Sequence, residues 1–114
     1  MKERKLPVTF FQDVYEIVKL VPAGRVTTYG SIAAYLGLKS SARMVGWAMN
    51  QTPKGQGIPA HRVVNRVGLL TGKHYFSDPT EMERKLAEEG IEIKDDQILN
   101  FKTVLWDPMK ELEL

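Results

Sequence analysis

Hydrophobic residues recur at helical spacing near the start of the chain and predict a first helix. The residues that share its apolar face, three or four positions apart, are Phe10, Val14, Ile17, Val18 and Val21. The segment Thr9-Phe10-Phe11-Gln12 has the Thr-x-x-Gln pattern of a capping box, which predicts that this helix begins at Thr9. Pro22-Ala23-Gly24 favours a turn and predicts the end of the helix.

Two shorter apolar patterns follow and predict a pair of helices. Thr28 is placed to cap the first of them, which extends to about Leu36. Ser40 or Ser41 caps the second, which extends to about Asn50. The positions predicted to face the core are Ile32, Ala33, Leu36, Met44, Val45, Ala48 and Met49. Two short helices joined by a tight turn are typical of a helix-turn-helix, although many helical domains contain such a corner without binding nucleic acid.

The second half of the chain predicts a loop, a hairpin and a further helix. Residues 51–57 are rich in turn formers and predict a surface loop, and residues 63–70 predict two short strands around a turn at Arg66, the hairpin that forms a wing. Asp78-Pro79-Thr80-Glu81 predicts a helix start with proline at the first helical position, and Gly90 predicts its end. The segments 91–93 and 98–106 are predicted to be extended, and the last eight residues to fray.

The composition is that of one small folded domain. With 114 residues, of which 43% are hydrophobic, residues 1–114 are predicted to form a single α/β, mostly helical, winged helix-turn-helix domain with a short β-hairpin wing. The absence of cysteine excludes disulfides and thiolate chemistry, and two histidines argue against a histidine-based metal site. No metal or other cofactor is expected. No apolar run approaches the roughly 20 residues that span a bilayer and no signal segment is evident, so we expect a cytoplasmic protein without a membrane partner.

The charges are segregated along the chain. All fourteen acidic residues lie outside residues 17–77, whereas this stretch carries Lys19, Arg25, Lys39, Arg43, Lys54, Arg62, Arg66 and Lys73. The stretch therefore has a charge of +8, and the flanks, with eight bases against fourteen acids, have −6. An acid-free basic face favours a polyanion such as DNA, because basic side chains that neutralise phosphates release counterions. The alternative is a solvated surface without a partner.

Several motifs, in order, resemble those of the O6-alkylguanine-DNA alkyltransferases. Pro59-Ala60-His61-Arg62-Val63 is similar to the PCHRV active-site motif of that family. Residues 21–30, VPAGRVTTYG, resemble the segment that leads to the family's helix-turn-helix tyrosine, and Ala42-Arg43-Met44-Val45-Gly46 resembles its recognition-helix signature. Glu88-Glu89-Gly90-Ile91 matches its acid-Gly element. The resemblance covers residues 9–93 and leaves 94–114 as a C-terminal extension; several ordered motifs are more specific than any one alone.

Ala60 occupies the position of the family's cysteine nucleophile. The resemblance implies that this cysteine takes the alkyl group from guanine O6 in the transferases, helped by the neighbouring histidine. A methyl side chain cannot do so, and hydroxyls such as Ser31 or Thr71 would have to occupy the cysteine's place and be activated there. The chain therefore resembles the alkyltransferase-like proteins, a non-enzymatic branch that typically carries tryptophan at this position, and it is not expected to be an enzyme.

The resemblance also implies roles at DNA. Tyr29 corresponds to the tyrosine that presses on a phosphate and helps to rotate the target nucleotide outward, and Arg43 to the arginine that fills the vacated place. Further contacts with DNA are expected from Thr28, Ser41, Ala42, Gly46, Trp47 and Arg66. The alternatives are a buried aromatic at a helix start for Tyr29 and a plain surface charge for Arg43. Trp47 packs either beside the DNA groove or in the core.

A lesion pocket is expected around Ala60, lined by Met49, Pro59, Ala60, Val63, Lys73 and Tyr75. The ammonium of Lys73 is expected near the modified base, where a cation over an aromatic face contributes about 0.5 to 2 kcal/mol. Alanine in place of tryptophan leaves volume for bulky O6 substituents unless Met49 or Tyr75 fills it. His61, Arg62 and Glu89 are expected to be structural remnants of the active site, because no cysteine remains to be activated.

These residues predict a monomeric protein that binds O6-alkylguanine in double-stranded DNA from the minor groove. It flips the damaged nucleotide into a pocket and flags it for nucleotide excision repair proteins without alkyl transfer, in the cytoplasm or on the nucleoid if the source is bacterial. One alternative is a winged-helix regulator that reads sequence without flipping a base. Another is an enzyme that uses His61 with a recruited water or hydroxyl. The PAHRV motif favours the lesion binder over the regulator, and Ala60 disfavours the enzyme.

Overall fold

A computed structural model describes residues 6–37 and 41–112 of the chain. The helices in this part are α1 (Leu6–Leu20), α2 (Tyr29–Tyr35), α3 (Ala42–Asn50), α4 (Glu81–Glu88), α5 (Phe101–Val104) and α6 (Pro108–Glu111). The strands are β1 (Thr27–Thr28), β2 (Val63–Val64), β3 (Ile93–Lys94) and β4 (Gln97–Ile98), and two 3-10 helices cover Ala60–Arg62 and Thr71–Tyr75. The domain is mostly helical with little sheet, as predicted.

α1 begins at Leu6, before the predicted start at Thr9. The prediction was wrong because Pro7 is compatible with the first helical turn, where its missing N–H removes no helix hydrogen bond and its fixed φ suits the helix. The predicted apolar face is buried, at Phe10, Val14, Ile17, Val18 and Val21. The hydroxyl of Tyr15 donates to the backbone oxygen of Ala48 at 2.7 Å and joins α1 to α3.

α2 and α3 form the predicted helix pair. Thr28 caps α2 as predicted, because its Oγ1 accepts a hydrogen bond from the N–H of Ser31 at 2.9 Å. Ser41 lies at the N-cap position of α3, but its side chain makes no capping hydrogen bond, and Ser40 lies outside the described residues. The two helices bury Ile32, Ala33, Val45, Ala48 and Met49, while Leu36 and Met44 are half-buried against the same core.

The predicted wing hairpin over residues 63–70 is not formed. β2 pairs in parallel with β1, with Thr27 opposite Val63 and Thr28 opposite Val64. Both valines are buried. Two adjacent apolar residues are typical of a parallel strand, because such a strand is covered on both faces. A hairpin strand that is open to solvent on one face instead alternates apolar and polar residues.

A tight turn follows β2 in place of the hairpin. The side-chain oxygen of Asn65 accepts hydrogen bonds from the N–H groups of Val67, at 3.0 Å, and Leu69, at 2.8 Å. Gly68 has a φ of +85°, which favours glycine. Leu69 then bridges to Gln97 of β4, so this turn leads the chain to the second sheet.

α4 begins at Glu81, two residues after the predicted first helical residue, Pro79. Two carboxylates build the turn before the helix and leave Pro79 within it. Asp78 Oδ1 accepts from the N–H two residues on at 2.8 Å, and Glu81 Oε1 accepts from the N–H of Ser77 at 3.1 Å. The predicted end is confirmed by Gly90, which has a φ of +87° directly after the C-cap.

The prediction of an extended segment over residues 98–106 was wrong for most of its length, because α5 lies within it. β3 and β4 form a short antiparallel hairpin whose turn residues, Asp95 and Asp96, have φ of 53° and 64°. Positive φ at both central residues is typical of a type I′ turn, which aspartate tolerates. Since β3 is only two residues long, the chain beyond Ile98 has no strand to pair with and forms local helical hydrogen bonds instead.

The C-terminal segment is tied to the first half of the chain. The N–H of Trp106 donates to the oxygen of Val26 at 2.6 Å, and the N–H of Val26 donates to the oxygen of Val104 at 3.0 Å. The indole of Trp106 is buried in the core. Asp107 caps α6 by accepting from the N–H of Met109 at 3.0 Å, so the predicted fraying is wrong for this helix.

Two clusters of buried side chains lie on the two sides of the β1–β2 pair. One lies among α1, α2 and α3 and includes Val63, and the other includes Val26 and Val64 together with Met82 and Leu86 of α4. The strand pair is therefore the seam between the two cores. None of the helices in residues 6–37 and 41–112 has the length and apolar character needed to cross a bilayer.

Thr27 and Thr28 offer a matched pair of stability variants. The Thr27 hydroxyl is buried and has no hydrogen-bond partner within the part of the chain that the structure describes. We expect Thr27→Val to raise the free energy of unfolding by about 1 kcal/mol, because it removes an unsatisfied polar group without changing shape. Thr28→Val should lower it by about 1 kcal/mol, because it removes the cap of α2. Urea denaturation measures both, and a Thr27→Val protein less stable than the wild type would contradict this account.

Candidate functional site

The start of α2, the exposed face of α3 and the second 3-10 helix enclose a cleft of about 440 Å³. The cleft is lined by Tyr29, Ala42, Arg43, Gly46, Trp47, Thr71 and Tyr75. Tyr29 and Arg43, which the motifs single out together, are thus brought into one space. Because Thr28 caps α2 immediately before Tyr29, the cap also fixes the backbone position of Tyr29 at the edge of the cleft.

The phenol of Tyr29 is held in one position on the wall of the cleft. Burial raises its pKa above the ordinary value, and a hydrogen bond with the side chain of Thr71 opposes this rise only in part. Gly72 lies directly against the phenol, since a Cβ at this position would stand 2.9 Å from the Tyr29 hydroxyl. At neutral pH the hydroxyl is therefore an uncharged donor and acceptor with a restricted orientation.

The exposed face of α3 presents a cation and an indole. Arg43 and Trp47 lie about one helical turn apart, and both line the cleft. Trp47 is 54% exposed, which decides between its two predicted locations in favour of the surface. Ala42 and Gly46 lie on the same face, so the helix backbone between the two large side chains is open to close approach.

Tyr75 also lines a second space, a cavity of about 430 Å³. The cavity lies among the loop after α3, the residues before the first 3-10 helix and the start of α4, and three expected residues line it: Met49, Ala60 and Tyr75. Its volume falls within the roughly 300–1,000 Å³ typical of ligand pockets. Because Tyr75 is 57% exposed and lines both spaces, the cleft and the cavity adjoin at this side chain.

Pro59, Val63 and Lys73, which were expected in this lining, lie elsewhere. Val63 is buried in β2, and Pro59 is half-buried in the loop without bordering the cavity. The ammonium of Lys73 forms an ion pair with Asp96 in the turn between β3 and β4. Lys73 is therefore not among the residues that line the cavity, and its approach to the modified base stays a prediction that requires the pair with Asp96, 23 residues further on, to open.

Thr28, Ser41 and Arg66, which were also expected to contact DNA, do not line the cleft. Thr28 is buried, and its hydroxyl is engaged as the cap of α2, so its side chain is not free to contact a ligand. Ser41 is half-buried at the start of α3. Arg66 is exposed on the turn after β2 and borders a separate groove beside the β3–β4 hairpin and α5.

The sequence did not indicate the wall of the cavity that α4 forms. Glu81 and Lys85 line this wall, with Phe76 and Ser77 from the preceding turn. The ammonium of Lys85 lies 3.1 Å from Glu81 Oε2. The i, i+4 spacing of an acid and a base is visible in the sequence. No local signal, however, shows that this side of the helix faces a cavity.

His61, Arg62 and Glu89 form one hydrogen-bonded cluster next to Ala60. Glu89 Oε2 lies 2.8 Å from His61 Nε2 and accepts from Arg62 Nη2 at 2.6 Å. The other oxygen of Glu89 accepts from the N–H of Gly24 at 3.3 Å, and Arg62 Nη1 donates to the backbone oxygen of Val21 at 2.8 Å. The cluster therefore ties the first 3-10 helix to the C-terminal end of α4 and to the turn after α1.

The balance of burial and hydrogen bonding within the cluster lowers the pKa values of Glu89 and His61. Burial alone would raise the pKa of Glu89, but the hydrogen bonds from Arg62, His61 and the N–H of Gly24 outweigh it and lower the pKa to about 2. Burial lowers the pKa of His61, and hydrogen bonding to Glu89 opposes this only in part. At neutral pH the cluster thus contains a carboxylate, a guanidinium and a neutral imidazole.

The basic stretch of residues 17–77 is not an unbroken basic face. Acids from the flanks fold back onto four of its bases, in the pairs Lys19–Glu16, Arg25–Glu111, Arg62–Glu89 and Lys73–Asp96. Arg43, Lys54 and Arg66 have no ion pair with any residue in 6–37 or 41–112, and Lys39 lies outside these ranges. The uncompensated charge is therefore at the cleft, at the cavity and on the turn after β2.

The fold and the site together define a class, a small and mostly helical binding domain. It presents a guanidinium and three aromatic side chains beside a cavity with room for a planar group, features expected of a domain that binds nucleic acid. The chain has no cysteine. Over the two described ranges, no three His, Asp or Glu side chains are grouped so that they could hold a metal ion.

Comparison with known proteins identifies the family. Residues 9–91 match the family model described as 6-O-methylguanine DNA methyltransferase, DNA binding domain, and the chain belongs to this family. It is 36% identical over 103 residues to Alkyltransferase-like protein 1 of Schizosaccharomyces pombe, covering 87% of this chain and 95% of that protein. It is also 36% identical over 101 residues to the DNA base-flipping protein of Escherichia coli, covering 87% of this chain and 75% of that protein.

A solved structure of a relative has the same fold. The crystal structure of S. pombe Atl1 in complex with damaged DNA containing O6-carboxymethylguanine matches this chain with a TM-score of 0.79 and 35% identity, over 95% of this chain and 100% of that one. The family resemblance inferred from the motifs is thereby confirmed. At 95% coverage the similarity continues past the family model into the C-terminal extension.

The Glu89 cluster predicts how stability depends on pH. Glu89 has a pKa of about 2 when folded against an ordinary value of 4.5, so the stability it contributes is present above pH 4.5 and is lost as the pH falls towards 2. His61 has a lowered pKa when folded, so the unfolded chain binds its proton more readily and acidification below about pH 6.5 also destabilises the fold.

Glu89→Gln should lower the free energy of unfolding at pH 7 by about 3 kcal/mol, because it leaves a largely buried guanidinium without its carboxylate. It should also flatten the loss of stability between pH 4.5 and 2 that Glu89 causes. Glu88→Gln, at the exposed neighbouring position, is the matched control and should change little. Urea denaturation across this pH range measures all three proteins, and identical pH profiles for Glu89→Gln and the wild type would refute the assignment.

Proposed function

We propose that this chain binds duplex DNA containing O6-alkylguanine, rotates the damaged nucleotide into the cavity and leaves the alkyl group in place. One observation carries the proposal: a cleft that holds Tyr29 and Arg43 adjoins, at Tyr75, a cavity whose wall at Ala60 has no nucleophile. The cleft supplies the groups that move a nucleotide, and the cavity receives its base.

Tyr29 and Arg43 have complementary tasks in this proposal. The neutral, restrained phenol of Tyr29 presses against the phosphate beside the target and donates to it. Arg43 has no ion pair to break within the described chain, and its planar guanidinium fills the vacated place in the base stack. Extrusion costs about a few kcal/mol, and less for a weakened pair such as one with O6-alkylguanine, so selection begins before the base reaches the cavity.

The rest of the DNA interface follows from the exposed face of α3. We assign α2 and α3 as a helix-turn-helix whose second helix enters the minor groove, where Ala42 and Gly46 let its backbone approach the sugars. Trp47 covers the groove wall with its exposed indole. The turn after β2 takes the part of a wing, with Arg66 contacting phosphate at its tip.

Alkyl transfer is absent from the proposal because no group in the cavity is activated for it. Ala60 offers only a methyl group, and His61 is engaged with Glu89 at 2.8 Å. The hydroxyl of Ser77 lines the cavity and hydrogen-bonds Glu81, but the hydrogen bond from Lys85 lowers the pKa of this carboxyl and makes it a poor base. The lesion therefore leaves the cavity chemically unchanged.

The names of the relatives support this assignment. One is an alkyltransferase-like protein, another is a DNA base-flipping protein, and the similar solved structure contains DNA with O6-carboxymethylguanine. A protein that leaves the lesion intact protects DNA only through other proteins. We therefore further propose that a monomer bound to the lesion, in the cytoplasm or on the nucleoid of a bacterial cell, flags it for nucleotide excision repair proteins.

Matched duplexes that contain guanine or O6-methylguanine at one position test the proposal. Fluorescence anisotropy titrations should show at least about tenfold tighter binding to O6-methylguanine, equivalent to 1.4 kcal/mol. The methyl group should persist in DNA recovered after prolonged incubation. Equal affinity for the two duplexes refutes lesion recognition, a preference for sequence alone indicates a regulator, and loss of the methyl group indicates an enzyme.

Two substitutions test the assignment of base flipping. Tyr29→Ala and Arg43→Ala should each weaken binding to the O6-methylguanine duplex by about tenfold or more, since each removes a group that pushes or replaces the nucleotide. Arg84→Ala, which removes an exposed arginine of α4 outside the cleft and the cavity, is the matched control and should bind normally. Circular dichroism verifies that all three proteins are folded. Undiminished binding by both cleft variants would remove the flipping assignment.

A further inference from the structure

The α4 wall of the cavity carries charges that the proposed function has not yet used. Lys85 and Glu81 line this wall and lie 3.1 Å apart. Lys54, from the loop after α3, lines the same cavity and has no ion pair with any residue that the structure describes. Two ammonium groups and one carboxylate therefore border the cavity, which leaves an excess of positive charge.

Lys85 lines the same cavity as Ala60, the residue expected beside an arriving O6 substituent. Ala60 is expected there because it occupies the place of the nucleophile to which the transferases move the alkyl group. Burial is the main cause of the lowered pKa of the neighbouring residue, His61, and the positive charge of Lys85 lowers this pKa slightly further. The ammonium of Lys85 and the loop at Ala60 thus share one electrostatic environment.

Glu81 does not hold Lys85 tightly. Its carboxylate also accepts from the N–H of Ser77 at 3.1 Å, so it keeps a partner when Lys85 turns away. The side chain of Lys85 is 46% exposed and that of Glu81 is 19% exposed, and i, i+4 helix pairs at the surface contribute about 0.3–0.5 kcal/mol. The flexible lysine can therefore exchange Glu81 for an anionic ligand in the cavity at small cost.

We propose that the cavity prefers O6-alkylguanines whose substituent ends in an anionic group, such as a carboxymethyl group, and that Lys85, assisted by Lys54, provides this preference. The inference rests on the proposed function and deepens it by naming a class of lesion. A carboxylate at this end of the cavity meets two ammonium groups. A neutral substituent of the same size contacts mainly the apolar side chains of Met49, Ile58 and Phe76.

The experiment separates charge from size. Matched duplexes carry O6-carboxymethylguanine or its neutral amide, O6-carbamoylmethylguanine, and a third duplex carries O6-methylguanine. We expect the wild type to bind the carboxymethyl duplex about three- to tenfold more tightly than the carbamoylmethyl duplex. Lys85→Gln should bring the ratio of the two affinities, carboxymethyl over carbamoylmethyl, close to one. Lys54→Gln should lower this ratio in part. Glu81→Gln should raise it, because the opposing carboxylate is removed.

Two further variants control for general effects of charge. Lys85→Arg keeps the cation and should preserve the ratio, and Lys110→Gln removes an exposed lysine of α6 outside the cavity and should leave the ratio unchanged. A ratio of one in the wild type, or an unaltered ratio in Lys85→Gln, overturns the inference while lesion recognition stands. Equal binding of guanine and O6-methylguanine overturns the proposed function and this inference with it.

Discussion

The site depends on the hydrogen bonds that the carboxylate of Glu89 makes. This carboxylate binds His61, Arg62 and the N–H of Gly24, while Arg62 also reaches the backbone oxygen of Val21. One side chain after α4 thus fixes the first 3-10 helix, which carries the cavity wall, against the turn after α1. Breaking a buried pair of this kind leaves an uncompensated charge, which is strongly destabilising. The cluster therefore holds the loop at Ala60, and with it the cavity wall, in position.

The β1–β2 pair fixes the cleft in a similar way. Thr28 ends β1 and caps α2, so Tyr29 leaves the sheet at a defined point. Val63 and Val64 pack into different cores, and the strand pair therefore couples helix packing on one side to α4 on the other. The side chain of Ala60 packs against the first of these cores, beside Val63. The strand pair and the cap of α2 therefore set the positions of the cleft residues through packing and hydrogen bonding.

Much of the frame could be predicted from sequence because its signals are local. Apolar spacing predicted α1 to α3, a helix-start signal predicted α4, the hydroxyl of Thr28 predicted a cap, and ordered motifs predicted the family. The failures that affect the site concern contacts between distant segments, whereas the earlier start of α1 and the later start of α4 are local errors. Two adjacent valines carry no alternation that names a partner strand, so β2 was paired with the wrong segment. The sequence around Lys73 does not indicate that this residue pairs with Asp96. The spacing of Glu81 and Lys85 likewise does not indicate that they line a cavity.

A crystal structure of this chain bound to a duplex with a single O6-methylguanine would show whether the damaged base is extruded and left intact. We expect the modified nucleotide to be extrahelical, with its base in the cavity among Met49, Ala60 and Tyr75. The guanidinium of Arg43 should occupy the vacated place in the stack, and the methyl group should still be on the base. A complex in which the O6-methylguanine remains stacked and paired, with the cavity empty, would contradict the proposed function.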